Sequence, residues 1–344
     1  MSTVTITDVA KHVGVSVATV SRYLSGLTVR NAEEIRDAIS ELNYRPSAAA
    51  RNLKSGRTGI IAILVPDITN PFFASIVEGA EAAVGEDRMV LLVNTGSTLE
   101  REEKALSQLF GRVDGVIMAP ISEEHGAPSF FSQFGLPIVF VDRVTRDGER
   151  FSAVLAENTR GAELATRHLI DHGHRQIAII SGPQISTPGK KRTEGFTSAM
   201  KAAKIPLIED FIIESDFTEE GGAQAMRELL RLASPPTAVF IANNLMTIGA
   251  LRTLKAAGIS IPEDISVVGF DDHHFAEIIN PPITVISRDA RQQGARAMEL
   301  MIEQLESGAA ANPEHSMVDV HLIERGSCGS PRAQSKTTLS KNGS

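Results

Sequence analysis

The sequence predicts an α/β protein, with a small all-α head followed by a core of two doubly wound parallel sheets. Three observations carry this. Residues 5–42 place apolar side chains at helical spacing around a glycine. From Gly59 onward, short apolar runs alternate with amphipathic stretches. That alternation occurs in two successive halves, which predicts two sheets with a cleft between them.

With 344 residues the chain can bury a large core and suggests two or three domains. Hydrophobic residues are 42% and charged residues 22%, ordinary for a soluble globular protein. The single Cys328 excludes a disulfide framework and fits a reducing compartment. Residues 1–25 lack an apolar core behind a basic start, and no apolar run nears the about 20 residues that span a bilayer. A cytoplasmic protein without membrane contact is expected. The net charge of −8 divides unevenly: residues 1–57 carry eight Lys/Arg against five Asp/Glu, +3, leaving −11 for the rest. A basic head on an acidic body focuses polyanion binding on one end.

In the head, Ile6, Val9, Ala10 and Val13 form one helical face, and Gly14 permits a left-handed turn. Ser16 can cap a second helix, with Val20 and Leu24 inward and Val17, Ala18, Ser21 and Arg22 outward. This is the pattern of a helix-turn-helix, although from spacing alone an ordinary helical hairpin is the commoner reading. A third helix is expected from Asn31, with Glu34 completing a capping box and Ile35, Ala38, Ile39 and Leu42 facing inward. The head then spans residues 1–45. Pro46 ends that helix, and the alanines after Ser47 favour a short one, too short to be stable alone in water. Residues 46–58 are therefore expected to be a hinge helix, ordered only against DNA, and a linker.

Residues 5–59 resemble the DNA-binding head of the lactose/galactose repressor family. The match comprises D-V-A-x-x-x-G-V-S-x-x-T-V-S-R, L-N-Y-x-P and A-x-x-L in order at the expected spacing. The resemblance implies that Val17, Ala18 and Arg22 read base edges and that Ser16, Thr19 and Ser21 hold phosphates. It also implies that Leu53 wedges into the minor groove, with Ala50 and Lys54 beside it on the hinge. Arg22 suits a bidentate guanine contact, and phosphate contact is its alternative. The chain departs from the family pattern at Arg30-Asn31-Ala32 and at Tyr23.

In the core, strands are expected at Ile60–Val65, Met89–Val93, Gly115–Ala119 and Ile138–Val141, each apolar enough to be buried on both faces. A second series lies near Gln176–Ser181, Ala238–Ala242 and Ser266–Phe270, with helices between. A helix over 289–306 and a strand Met317–Glu324 suggest that the chain recrosses between lobes. The expected N-lobe is about 59–157 and 288–316, and the C-lobe about 158–287 and 317–327. Residues 328–344 lack apolar periodicity and are expected to be a disordered tail.

Residues 59–327 resemble the sugar-binding core of the same family, itself similar to periplasmic ribose- and galactose-binding proteins. The markers are Asn70-Pro-Phe-Phe73, Arg192-Thr-Glu-Gly-Phe196, Asn243-Asn-Leu-Met246, Gly269-Phe-Asp271 and Ile323-Glu-Arg325. By this resemblance Phe72 and Phe73 contact a sugar ring, and Arg192, Asn243 and Asp271 bond its hydroxyls. Asn70, Asp142, Arg143 and Phe217 also match ligand positions. A polyol needs such a mixture of aromatic faces and charged or amide groups. Core packing is the alternative for the two phenylalanines. Two departures stand out: Asn244 replaces an aspartate usual in the family, and Arg288 stands where a ribose-type site uses glutamine. Together they suit a sugar acid or sugar phosphate, with surface salt bridging the alternative for Arg288.

Other chemistry finds little support. Gly182…Gly189-Lys190-Lys191 has the wrong spacing for a phosphate loop. His168, His172 and His174, and Asp271-Asp272-His273-His274, read as solvated or packing groups, so no metal is expected. No G-x-S-x-G or H-E-x-x-H occurs. Neither a catalytic residue nor a cofactor is expected. The resemblance implies a homodimeric transcriptional regulator in the cytoplasm, nucleoid-associated. Its partners are a palindromic operator and a small effector (a sugar, sugar acid or sugar phosphate). Repression relieved by the effector is favoured over recruitment by it. A soluble sugar-binding protein or an α/β sugar enzyme is the rival reading.

Overall fold

The computed structural model describes residues 4–45, 57–124, 135–307 and 312–332. It divides into two units at Gly59. Ala50, Leu53 and Lys54 lie outside the described residues, as does the rest of the expected hinge helix.

The head is three helices, α1 (Ile6–Val13), α2 (Val17–Leu24) and α3 (Ala32–Glu41). Thr5 and Asp8 close a capping box on α1, with the Thr5 amide donating to Asp8 Oδ2 at 2.8 Å. Gly14 at φ 74° ends α1 in the left-handed region. Val9, Ala10, Val20, Ile35 and Ala38 are buried together, and Tyr23 packs against them. The capping box expected at Asn31 does not form: Asn31 makes no side-chain cap bond. Its ψ of 38° departs from the extended backbone that lets a cap side chain reach the N3 amide.

The core holds two six-stranded sheets. The N-lobe strands are β1 (Ile60–Val65), β2 (Met89–Asn94), β3 (Gly115–Met118), β4 (Ile138–Val141), β5 (Ser152–Ala156) and β11 (His315–Val318). They are ordered β11-β5-β4-β3-β1-β2, all parallel. The C-lobe strands are β6 (Ile177–Ser181), β7 (Ile212–Glu214), β8 (Ala238–Ile241), β9 (Ser266–Phe270), β10 (Thr284–Arg288) and β12 (Val320–Ile323). Their order is β12-β10-β9-β8-β6-β7, with β12 antiparallel to β10. Helices α4 (Pro71–Ala83), α5 (Leu99–Leu109) and α11 (Ala290–Ser307) serve the N-lobe. Helices α6 (Asn158–Asp171), α7 (Thr187–Ala202), α8 (Glu219–Arg231), α9 (Asn244–Ala256) and the short α10 (His274–Ile278) serve the C-lobe.

Three sequence expectations change. The strand read over 317–324 is two strands in different sheets, split at Asp319, so the chain leaves the N-lobe after Val318. β2 is an edge strand, not one buried on both faces: Met89, Leu91 and Leu92 are exposed. Residues 328–332, expected in the disordered tail, are tied to the C-lobe. His174 lies 2.9 Å from the Gly329 carbonyl through Nε2 and 2.9 Å from Thr237 Oγ1 through Nδ1, and Arg332 pairs with Asp264.

Helices α4 and α11 brace the N-lobe wall of the cleft. A Cβ on Gly79 would lie 1.9 Å from the Arg291 carbonyl oxygen, and one on Gly294 would lie 1.9 Å from that of Ile76. Only glycine allows this approach. It fixes the start of α4, where Phe72 and Phe73 sit, against the segment that follows Arg288.

Candidate functional site: an interlobe cleft and a helix-turn-helix

The loops after the strands' carboxyl ends meet between the lobes, where open parallel sheets place ligands. Asp142 follows β4 and Asp271 follows β9; Arg288 is the last residue of β10. Asn243 caps α9, accepting from the Met246 amide at 2.8 Å and donating to the Phe217 carbonyl at 3.0 Å. Asn70 caps α4, accepting from the Phe72 amide at 3.0 Å. All ten predicted residues line this cleft: Asn70, Phe72, Phe73, Asp142, Arg143, Arg192, Phe217, Asn243, Asp271 and Arg288, joined by Pro188. Phe72 and Phe73 also belong to the N-lobe core, so packing and site lining are both true of them.

Three of these residues hold left-handed backbone without being glycine: Asp142 at φ 68°, Phe217 at 66° and Asp271 at 71°. Such conformations cost of order 1–3 kcal/mol each and persist where surrounding structure imposes them. Phe217 is accommodated because Gly182 has no side chain; a Cβ there would meet its ring at 1.9 Å.

The cleft is dominated by charge. Arg288 donates Nε–H to Asp271 Oδ1 at 2.7 Å and Nη1–H to Asp142 Oδ1 at 2.7 Å. Its guanidinium lies over the Phe72 ring, 3.8 Å from the centroid, a cation–π contact. With a side chain only 2% exposed, Arg288 is no surface salt bridge. Arg192 donates to Asn158 Oδ1 at 2.9 Å and to the Ala242 carbonyl, and lies 3.5 Å over Phe270. Its Nη2 is buried and has no hydrogen-bond partner among the described residues. Arg143 donates to Asp142 Oδ2 at 3.1 Å and faces the Phe73 and Phe217 rings.

Burial pushes the Asp142 carboxyl up, but Arg288, Arg143 and Arg192 outweigh it and hold it below the usual carboxylate range. Burial pulls Arg192 down to about 9, against the pull of Asp271, so it stays charged at neutral pH. Arg288 is also penalised by burial, yet Asp271 and Asp142 raise it above its ordinary value. Three cations thus face two carboxylates.

The lobes meet across this cleft. Asn244 donates from its Nδ2 to Asn70 Oδ1 at 3.0 Å, and Thr187 pairs with Glu123. Sequence reasoning flagged Asn244 only as a missing carboxylate; as an amide it supplies a donor to the opposite lobe. Pro188 and Asn158 gave no motif signal, and Phe270, although inside the Gly269-Phe-Asp271 marker, was not singled out, because its contact with Arg192 is set by position alone. The cavity left is about 30 Å³, room for roughly two waters.

On the head, Val17, Ala18 and Arg22 are exposed, Ser16 is exposed at the start of α2, and Thr19 and Ser21 are half-buried. Ser16 Oγ accepts from the Thr19 amide at 3.1 Å, as the expected cap does. Among the described residues no helix is long and apolar enough to cross a membrane.

A helix-turn-helix followed by two parallel-sheet lobes around a polar cleft defines a ligand-responsive DNA-binding regulator. Residues 5–47 match the family "Bacterial regulatory proteins, lacI family", and residues 166–328 match the "Periplasmic binding protein-like domain". The chain is 34% identical over 330 residues to the ribose operon repressor of Escherichia coli (strain K12), covering 94% of this chain and 99% of that protein. A solved CelR–cellobiose complex is 33% identical, covers 94% of this chain and 99% of its own, and superposes with TM-score 0.73. The lac repressor dimer bound to operator and the anti-inducer ONPF is 27% identical, with coverage 96% and 100% and TM-score 0.82. The chain belongs to the lacI family of bacterial regulatory proteins, and it is a DNA-binding transcriptional repressor with a periplasmic-binding-protein-like core.

Proposed function

We propose that this repressor is a cytoplasmic homodimer released from a palindromic operator when a small polyhydroxylated anion, a sugar acid or sugar phosphate, enters the interlobe cleft. The observation that carries this reading is the cleft's composition: two carboxylates to accept hydroxyls, aromatic faces for a ring, and an excess of guanidinium, with Arg192 Nη2 buried and lacking a hydrogen-bond partner among the described residues. A neutral sugar satisfies the carboxylates but leaves the excess positive charge unbalanced; an anionic group answers both. The names of the relatives support a carbohydrate, since one is a ribose operon repressor and another structure holds cellobiose.

About 30 Å³ holds no sugar ring, so a ligand enters by moving groups that fill the cleft, and Arg288, stacked on Phe72, stands among them. Arg288 joins the lobes through Asp142 and Asp271, so its displacement couples binding to lobe geometry. A change in the N-lobes alters the spacing of two hinge segments, and DNA must weaken effector binding by the same factor. On DNA, Val17, Ala18 and Arg22 read bases, Ser16, Thr19 and Ser21 hold phosphates, and Ala50, Leu53 and Lys54 serve the minor groove. The exposed apolar edge of β2, with Met89, Leu91 and Leu92, offers a face that a two-fold partner would bury.

A thermal-shift screen against neutral sugars, sugar acids and sugar phosphates, followed by operator release measured by fluorescence anisotropy, tests this. A sugar acid or phosphate that stabilises the protein and releases operator is expected. Stabilisation by neutral sugars alone would overturn the anionic class.

A further inference from the structure

We propose that the C-lobe carries a site for a divalent transition metal, zinc being the best fit, formed by His168, His172 and Glu324. The two histidines sit four residues apart at the end of α6, and Glu324 directly follows β12. One ligating atom from each lies within 4.8 Å of the others. The site lies outside the interlobe cleft and is independent of it.

Two further facts point to a ligand. His168 is only 8% exposed, and its Nε2 is buried with no hydrogen-bond partner among the described residues. A buried imidazole nitrogen without a partner is costly, and a metal would offset that cost. His172 Nδ1 lies 2.8 Å from the His168 carbonyl. A carbonyl only accepts, so Nδ1 carries the proton and Nε2 keeps its lone pair, the arrangement by which ligating histidines are oriented.

The donor set is two imidazoles and one carboxylate, matched to zinc rather than calcium or magnesium. A tetrahedral zinc sets neighbouring ligand atoms about 3.3 Å apart, closer than the present limit of 4.8 Å. The adjustment falls on half-buried His172 and exposed Glu324, both near the surface. His174, adjacent in sequence, takes no part because both its ring nitrogens are engaged with Thr237, Ser266 and Gly329. A bound metal would clamp the end of α6 to the segment leaving β12.

The test uses untagged, metal-stripped full-length protein titrated with Zn²⁺ by calorimetry, and with Co²⁺ by visible absorption. One Zn²⁺ per chain is expected, with a rise in Tm and the intense absorption of tetrahedral Co²⁺. His172→Ala and Glu324→Gln should each weaken binding by about tenfold or more. Both alter surface-proximal side chains, so the result does not depend on His168→Ala folding. His12→Ala, which touches the His12–Glu41 pair of the head, should leave binding unchanged. Absence of saturable binding, or parental affinity in His172→Ala and Glu324→Gln, would overturn the site.

Discussion

Arg288 and Asp142 form an ion pair between the lobes, Nη1 to Oδ1 at 2.7 Å, with both side chains only 2% exposed. Asp142 projects from the N-lobe after β4, and Arg288 ends β10 in the C-lobe. Buried pairs of this kind contribute little net stability beside an apolar alternative, but breaking one is costly.

Replacing Arg288 with glutamine removes both the cation and the group stacked on Phe72. Arg288→Gln should bind neutral sugars more tightly than the parent, because a ring no longer competes with a guanidinium. Binding of a sugar acid or phosphate should weaken by about 1.5–3 kcal/mol, the worth of a charged hydrogen bond. Tm should fall, since Asp142 and Asp271 lose their shared partner. Calorimetry with one ligand of each class checks the crossover; parallel losses for both would place Arg288 in structure alone.

Glu102 on α5 is buried and accepts from the Ile121 amide at 3.0 Å. Burial pushes its carboxyl up from 4.5 to about 7, against the lowering effects of that bond and of Arg143. A raised carboxyl favours the folded state fully below pH 4.5, and that contribution is lost as pH rises towards about 7. Glu102→Gln keeps an acceptor for Ile121 without the buried charge. It should stabilise the protein by about 1–3 kcal/mol at pH 8 and by little near pH 4.5. Urea melts at the two pH values decide it, and an equal gain at both would show that Glu102 does not titrate in this window.

Much of this was legible in the sequence, and the exceptions share a cause. β1, β4 and β9 match their apolar runs residue for residue, because strands buried on both faces leave a continuous signal. β10 reads Thr-Val-Ile-Ser-Arg, a pattern that declares no buried strand, and it was missed. Asp319 is one residue, too little to reveal that β11 and β12 serve different sheets. The ordering of Gly329 depends on His174, 155 positions earlier, a relation no local pattern contains. In the cleft, residue types were readable but not their pairing. Whether Arg288 meets water or two carboxylates is decided by the lobes' approach.

Arg22 is exposed on α2, one turn beyond Ala18. Arg22→Ala should relax preference at one symmetric guanine position per half-site, at about 1–3 kcal/mol each. Selection of bound duplexes from a random pool reads this directly. Lower affinity with an unchanged sequence preference would assign Arg22 to phosphate.

Asp271 offers the sharpest test of the cleft, provided the substitution suits its surroundings. Alanine does not: at φ 71° it adds backbone strain, and it leaves Arg288 and Arg192 sharing Asp142. Asparagine tolerates left-handed backbone better and keeps an oxygen for Arg288 Nε. Asp271→Asn should therefore fold with reduced Tm and bind operator as the parent does without ligand, because the head is unchanged. Hydroxyls that donate to a carboxylate lose about 1.5–3 kcal/mol when that acceptor becomes neutral. The effector concentration for half-release should rise roughly ten- to a hundredfold. Operator anisotropy titrated with the ligand from the screen measures that midpoint. If Asp271→Asn releases operator at the parent's midpoint, the ligand binds elsewhere, whatever the head does on DNA.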